Sequence, residues 1–286
     1  MKGETAKELL VKIKEERKKA LGKKYKELPP VDTTNLPQLP DGWLWAVLDA
    51  VSEKITDGEH IRPKIVADGI PFLSAKDVRN EGVCFDETLF ISNDDADRFS
   101  KRCNPERGDI LVVSRGATVG RSCIVDTNER FCLLGSVILI KLFQNLNPKF
   151  ISYFIKSEQS QQQLMALSGS TAQQAIYIRD IRNVYLPLCT IEEQTIIVSE
   201  IERHFSVADE TEKIIDQSLK QAERLRQSIL KDAFSGKLVP QDPSDEPAEK
   251  LLERIKAERE KISKTKSNHQ ALPDGSPKEN KKRRIK

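Results

Sequence analysis

Residues 190–236 read TIEEQTIIVSEIERHFSVADETEKIIDQSLKQAERLRQSILKDAFSG, and no proline or glycine interrupts them before Gly236. Apolar residues recur at Val198, Ile201, Phe205, Ala208, Ile215, Leu219, Ala222, Leu225 and Ile229. The steps are three, four or seven, so they fall on one face of a helix. Thr190 suits the N-cap, and Glu192 and Glu193 suit the positive end of the helix dipole. A helix of about forty residues spans about 60 Å at 1.5 Å per residue. Its short flanks cannot bury such a stripe. The pattern asks for a second long helix alongside, in the manner of a coiled coil, or for a fold back onto its own domain.

Upstream, residues 43–189 alternate short apolar runs with turn residues. Ile110–Val113, Ser122–Val125 and Val137–Ile140 read as strands, Pro148–Leu167 as a helix, and Ile176–Leu188 as strand or extended chain. Before them, residues 4–20 form a short charged helical pattern with Ala6, Leu9, Leu10, Ile13 and Ala20 on one side. Pro29, Pro30, Pro37 and Pro40 then hold an extended joint. The expected fold class is α+β: one globular domain with a long C-terminal coiled-coil-like helix and a short N-terminal helix. The long helix is expected to pair with the residue 4–20 helix or with another subunit.

Downstream, residues 246–261 (EPAEKLLERIKAEREK) repeat residues 4–19 (ETAKELLVKIKEERKK) without a gap, with nine of sixteen positions identical. Leu39-Pro40-Asp41-Gly42 recurs as Leu272-Pro273-Asp274-Gly275. The repeat implies that the chain starts and stops within the same kind of element. Lys278–Lys286 form a basic tail, readable as a disordered solvated end, a phosphate-binding arm or a nuclear address.

Charge is distributed unevenly: net +4 over residues 1–40, −2 over 41–189 and +1 over 190–286. The middle segment is therefore not a bulk-basic binder, and any polyanion must meet a local cluster. Five cysteines, an odd number with no CxxC pair, argue against a disulfide framework or zinc site. Three histidines (His60, His204 and His269) make a His-rich metal centre improbable. No apolar run approaches a membrane span and no secretory core opens the chain, so the expected location is the cytoplasm. No Walker loop, GxGxxG, HExxH, deaminase spacing or GxSxG is present, and Asn104-Pro105-Glu106 is not the Asn-Pro-Pro-aromatic run of adenine methylation. No catalytic residue is expected.

Several motifs in order resemble the specificity subunit of type I restriction-modification systems. Leu39–Trp43 is similar to the entry into that family's target recognition domain, and Asp57–His60 with Asp68–Val78 to its early part. Gly108–Gly120 (GDILVVSRGATVG) resembles its most recognisable motif. Ser168–Gln173, Ile181–Leu188 and Glu192–Gln194 look like the exit into the long helix, and Arg224–Leu230 with Ala233–Leu238 like that helix's end. The resemblance implies an N-terminal helical segment and proline-rich linker at 1–36 and a target recognition domain at 37–189. It further implies a helix for dimerisation and methyltransferase docking at 190–240, and a helical repeat with a basic tail at 241–286. It also implies a non-catalytic reader of one half of a split site on double-stranded DNA. The expected partners are a methyltransferase subunit, a motor-nuclease subunit and either a second copy or another half-subunit, without a membrane. The chain would hold no cofactor of its own; S-adenosylmethionine, ATP and Mg would act in the partner subunits. Family members usually carry two recognition domains, whereas this sequence has one. A truncated remnant, or a structural coiled-coil protein with an unrelated globular head, are the other readings.

For such a reader, Arg115 stands beside Gly116 and Gly120 in a loop after a strand, with Ser114 and Thr118 able to donate to phosphates. A tight turn with only a structural job is the alternative for that loop. Ser170, Thr171 and Gln173 lie in a small polar loop that is either DNA-facing or a plain connector. Lys76, Arg79 and Asn80 form a third polar cluster, or simply a solvated face. His60 lies in a charged loop.

Overall fold

The computed structural model describes residues 5–167, 175–240 and 242–269, with side chains as far as Lys264. In chain order come α1 (Ala6–Leu21), β1 (Leu44–Val47), α2 (Leu48–Val51), β2 (Ser52–Asp57), β3 (Ile65–Val66), β4 (Ile70–Leu73), β5 (Leu89–Ile91) and α3 (Asn93–Ser100). Then follow β6 (Ile110–Val113), β7 (Ser122–Ile124), β8 (Cys132–Leu133), β9 (Val137–Leu142), α4 (Pro148–Lys156), α5 (Glu158–Leu167), α6 (Ile178–Arg182), β10 (Tyr185–Leu188), α7 (Ile191–Phe234) and α8 (Ala248–His269). Two units separate: one through Ala208, the head, and one from Asp209 onward, the arm.

The head is built on β6 and β9. Both read as unbroken apolar runs because both faces of their sheet are covered. They pair antiparallel, Ile110 opposite Ile140 and Val113 opposite Val137, in the four-stranded order β2-β9-β6-β7. The pleat then divides the runs in two. Ile110, Val112, Ile138 and Ile140 enter one apolar cluster with Phe150, Ile151 and Phe154 of α4. Leu111, Val113, Val137 and Leu139 enter another with Leu73, Cys123 and Phe131. A second four-stranded sheet, β3-β5-β4-β8, has one parallel pair, β4 with β8. The two-stranded pair β1-β10 ties the start of the globular chain to its end, Leu44 opposite Leu188.

Two expectations are corrected. The helix expected over 148–167 is two helices. Ser157 ends α4, its backbone N–H on the Phe154 carbonyl at 3.0 Å, and its carbonyl and side chain then receive Gln161 and Ser160 of α5. A serine that caps both ways breaks a continuous apolar pattern. The extended chain expected over 176–188 contains α6, whose entry is fixed by the Asp180 carboxylate accepting from the Tyr177 backbone; only β10 is strand. The expected N-terminal helix is present as α1, and its apolar stripe packs into the head. Ala6, Leu9 and Ile13 are buried, and Leu9 and Ile13 join the cluster that holds Ala46, Leu48 and Ile140.

α7 is capped by Thr190: its hydroxyl accepts from the Glu193 backbone and the Glu193 carboxylate accepts from the Thr190 backbone, both at 3.2 Å. Its first turns belong to the head. The Gln194 side chain is fully buried, accepting from the Asn147 backbone and donating to the Cys189 carbonyl. Beyond Ala208 the apolar stripe is exposed, Leu219 to 64% and Leu225 to 61%. Among the described residues, no helix is long and apolar enough to cross a membrane.

Candidate nucleic-acid interface

The ends of β2 and β6 and the start of β9 lie at one edge of the central sheet, and two loops leave there. The first, residues 58–64, is pinned to the β8–β9 connection: the Glu59 backbone donates to the Leu133 carbonyl at 2.7 Å and accepts from Gly135 at 2.8 Å. The His60 ring lies directly over Gly135, where an added Cβ would sit 2.4 Å from Nδ1. Its Nε2 meets the Asp57 carboxylate at 2.8 Å, and Arg102 pairs with the other oxygen of that carboxylate. The loop continues into Ile61, Arg62 and Lys64, all exposed.

The second loop, residues 114–121, joins β6 to β7. The Ser114 backbone donates to the Ser136 carbonyl at 2.8 Å, so this loop and the first share the 133–136 backbone as their floor. Arg115 is exposed, and its side chain has no hydrogen-bond or ionic partner among the described residues. Its backbone bridges to Ala175, and the Ile176 N–H donates to the Ser114 carbonyl at 2.9 Å. The chain therefore emerges from residues 168–174 beside Arg115. Ser170, Thr171 and Gln173 themselves lie outside the described residues.

Ser114 corrects an expectation. It is 3% exposed with its hydroxyl toward the Gly135 carbonyl, so as it stands it cannot reach a phosphate. Ser114 directly follows Val113, the last residue of β6, and is still buried with the end of that strand. Thr118 is half-buried within the turn. Gly120 has a positive φ of 86°, and an added Cβ there would meet the Gln161 side chain at 2.5 Å. The Gln161 amide donates to the Gly120 carbonyl at 3.0 Å. The glycine at this end of the motif thus allows close helix packing, whereas Gly116, with φ 105° and open space around it, turns the exposed tip.

The third expected cluster is held by contacts of its own. Lys76 donates to the Glu87 carbonyl at 2.8 Å, and Arg79 is 3.8 Å from Asp86. Asn80 accepts from Lys156 through its backbone carbonyl and lines a cleft of about 680 Å³ with Arg121, Lys149, Tyr153, Lys156 and Gln161. This cleft is charge-balanced rather than basic: Glu81, Asp126 and Glu202 also line it, and Glu202 pairs with Lys149 at 2.5 Å. The hydrogen bond to Glu202 raises the Lys149 pKa, so that lysine is already committed.

Sequence reading passed over Arg62 and Lys64, although both sit within four residues of His60 and carry no partner among the described residues. It also passed over Lys149 and Lys156, whose seven-residue spacing puts them two turns apart on one helix face. Among the described residues, no group of three or more His, Cys, Asp or Glu side chains could hold a metal ion. The site is therefore a surface of exposed cations on two loops fixed to a rigid sheet edge. Such a surface can offer hydrogen bonds to phosphates and base edges.

The chain is 32% identical over 203 residues to the EcoBI type I restriction enzyme specificity subunit of Escherichia coli, covering 68% of this chain and 42% of that protein. It is 27% identical over 225 residues to the EcoKI specificity subunit of Escherichia coli strain K12, covering 74% and 48%. The chain thus spans about half the length of the curated relatives it matches. Among solved structures, a chain from the type I R-M system has a similar fold, with a TM-score of 0.57 at 22% identity, covering 82% of this chain and 54% of that one. Residues 52–221, which run from β2 through the head and into the arm, match the family model for the type I restriction modification DNA specificity domain, and the chain belongs to that family.

Proposed function

We propose that this chain is the DNA-reading subunit of a type I restriction-modification assembly and recognises one half of a split site. The observation that carries this reading is the family match over residues 52–221, which takes in both loops at the sheet edge. The head presents Arg115, Arg62, Lys64 and His60 to the duplex. An arginine on a loop tip can donate two hydrogen bonds to guanine O6 and N7, and the neighbouring cations hold phosphates. Ser170, Thr171 and Gln173, which lie outside the described residues, are proposed as further contacts because they precede Ala175, whose backbone bridges to Arg115.

The chain contributes the address and no chemistry. Adenine methylation with S-adenosylmethionine, and ATP- and Mg-dependent translocation and cleavage, belong to the modification and restriction subunits. The long helix α7 sets the distance between two heads: its 44 residues span about 66 Å against about 34 Å for one turn of DNA. The second head comes from another copy of this chain or from another half-subunit.

The test is co-expression with the modification subunit of the same host, followed by mapping of methylated adenines. A complex that writes a two-fold symmetric split motif supports pairing of two copies; an asymmetric motif supports a different half-subunit. Absence of complex, methylation and direct duplex binding together would overturn the reading.

A further inference from the structure

The two copies of the repeated segment have different fates in the fold. In α1, the buried stripe Ala6, Leu9 and Ile13 enters the head. Two polar contacts flank it. The Arg17 guanidinium meets the Asp49 carboxylate at 2.6 Å and also donates to the Asp49 carbonyl, while the Asn145 amide donates to Glu16. The Arg17 and Asp49 side chains are only 13% and 17% exposed, so this is an enclosed ionic contact. In α8 the equivalent stripe is open to solvent: Leu251 is 48% exposed, Leu252 62% and Ile255 39%.

Identity between the segments includes every α1 residue of this contact, and Lys14 and Lys19 recur outside it as Lys256 and Lys261. Ala6, Leu9, Leu10, Ile13, Glu16 and Arg17 recur as Ala248, Leu251, Leu252, Ile255, Glu258 and Arg259. The differing positions Thr5, Lys7, Glu8, Val11, Lys12 and Glu15 are all exposed in α1. The remaining difference, Lys18, is half-buried over the ring of Tyr25, 5.9 Å from its centroid, and not against Asp49 or Asn145. A segment matched only by helical composition would not keep the buried face and both polar contacts while most of its exposed positions changed.

We propose that α8 is a second head-docking helix, and that it occupies the α1 seat on the head of a second copy of this chain. Ala248, Leu251 and Ile255 take the places of Ala6, Leu9 and Ile13; Arg259 meets Asp49 and Glu258 accepts from Asn145. Because the seat holds one helix, docking of α8 displaces α1 of the receiving copy. The arrangement is an exchange of equivalent elements between protomers, which requires no new surface. It is independent of the DNA-reading proposal, and its failure would leave that proposal standing.

Photo-cross-linking tests it in the full chain. Benzoylphenylalanine replaces Leu252, the counterpart of Leu10, which lines a groove with Ala46, Val47 and Ala50. Light and isotopically heavy chains are mixed, and cross-linked peptides are read by mass spectrometry. The expected result is light–heavy pairs at residues 46–50, reduced about tenfold by Arg259→Glu through loss of a charge-assisted bond. Cross-links at 46–50 within one copy only, or light–heavy pairs only elsewhere, overturn the proposal. A second variant reads fit to the seat directly: α1 receives the α8 residues through T5P, K7E, E8K, V11E, K12R, E15A and K18E. The melting midpoint should fall by only ~3–5 °C, from loss of the Thr5–Glu8 capping box. Leu9→Asp in the original chain should lower it by more than twice as much. An exchange that destabilises as strongly as Leu9→Asp shows that α8 does not fit the seat.

Discussion

Leu111 at the centre of the head and Leu219 on the arm are the same residue type, each on a regular apolar pattern, yet the first is fully buried and the second is 64% exposed. In β6 each apolar residue has a cover on its own side of the sheet, because α4 and the β1-β10 pair close one face and the second sheet's strands close the other. Among the described residues, the arm's stripe has no comparable cover. The head satisfies its own pattern; the arm's pattern specifies a surface for something else. The comparison predicts that identical chemical changes have unequal consequences.

The largest expected effect is on the head. Leu139→Ala, at a wholly buried position of β9, should cost about 3 kcal/mol and lower the melting midpoint by about 6–12 °C in calorimetry. Leu219→Ala should change stability by less than about 0.5 kcal/mol and the same midpoint by less than about 2 °C. Equal shifts would mean that head and arm melt as one unit. Next in size is association. If a second helix covers the arm's stripe, Ile215→Asp with Leu219→Asp should weaken self-association or subunit binding by at least about tenfold in sedimentation velocity, with the head's melting midpoint unchanged. An unchanged association constant would place the cover elsewhere.

A smaller effect is expected at the sheet edge. Arg115→Ala should weaken duplex binding by about tenfold or more while leaving the head's melting midpoint unchanged, because the side chain has no partner among the described residues to lose. Ser114→Ala should change binding far less, since that hydroxyl faces inward. A loss from Ser114→Ala as large as that from Arg115→Ala would show that the loop reorganises on the duplex.

These contrasts also show what the sequence could tell. The runs Ile110–Val113 and Val137–Ile140 announce buried strands because their burial is continuous, and α7 announces itself through an uninterrupted period and the Thr190 cap. The residue 4–20 stripe signals that a face is buried but not against what. Its seat is formed by Asp49 and Asn145, which are distant in sequence. Whether Ser114 points outward depends on the pleat phase at the end of β6, which a single polar residue after an apolar run does not disclose. Arg62 and Lys64 needed no structure to be noticed, since they follow His60. What the structure adds is the shared 133–136 floor that places their loop beside Arg115.

The cysteines give the least invasive test of the division. All five lie between residues 84 and 189, so a thiol reagent reports on the head alone. Cys84 is half-exposed and the other four are buried. Burial pushes the Cys103, Cys123 and Cys189 thiols up to about 12, which leaves a thiolate share of roughly one in ten thousand at pH 8. Alkylation of the native chain followed by mass spectrometry should therefore label Cys84 rapidly and the buried four only through opening of the head. Raising the pH speeds their labelling only as opening exposes them, because the thiols recover ordinary acidity once unfolded. Leu139→Ala should accelerate the slow class by about a hundredfold, its stability loss converted at about 1.4 kcal/mol per decade, where reclosing outpaces alkylation. Leu219→Ala should leave the slow class unchanged. Acceleration by both substitutions would show that the arm, despite its exposed stripe, shares the head's cooperative opening.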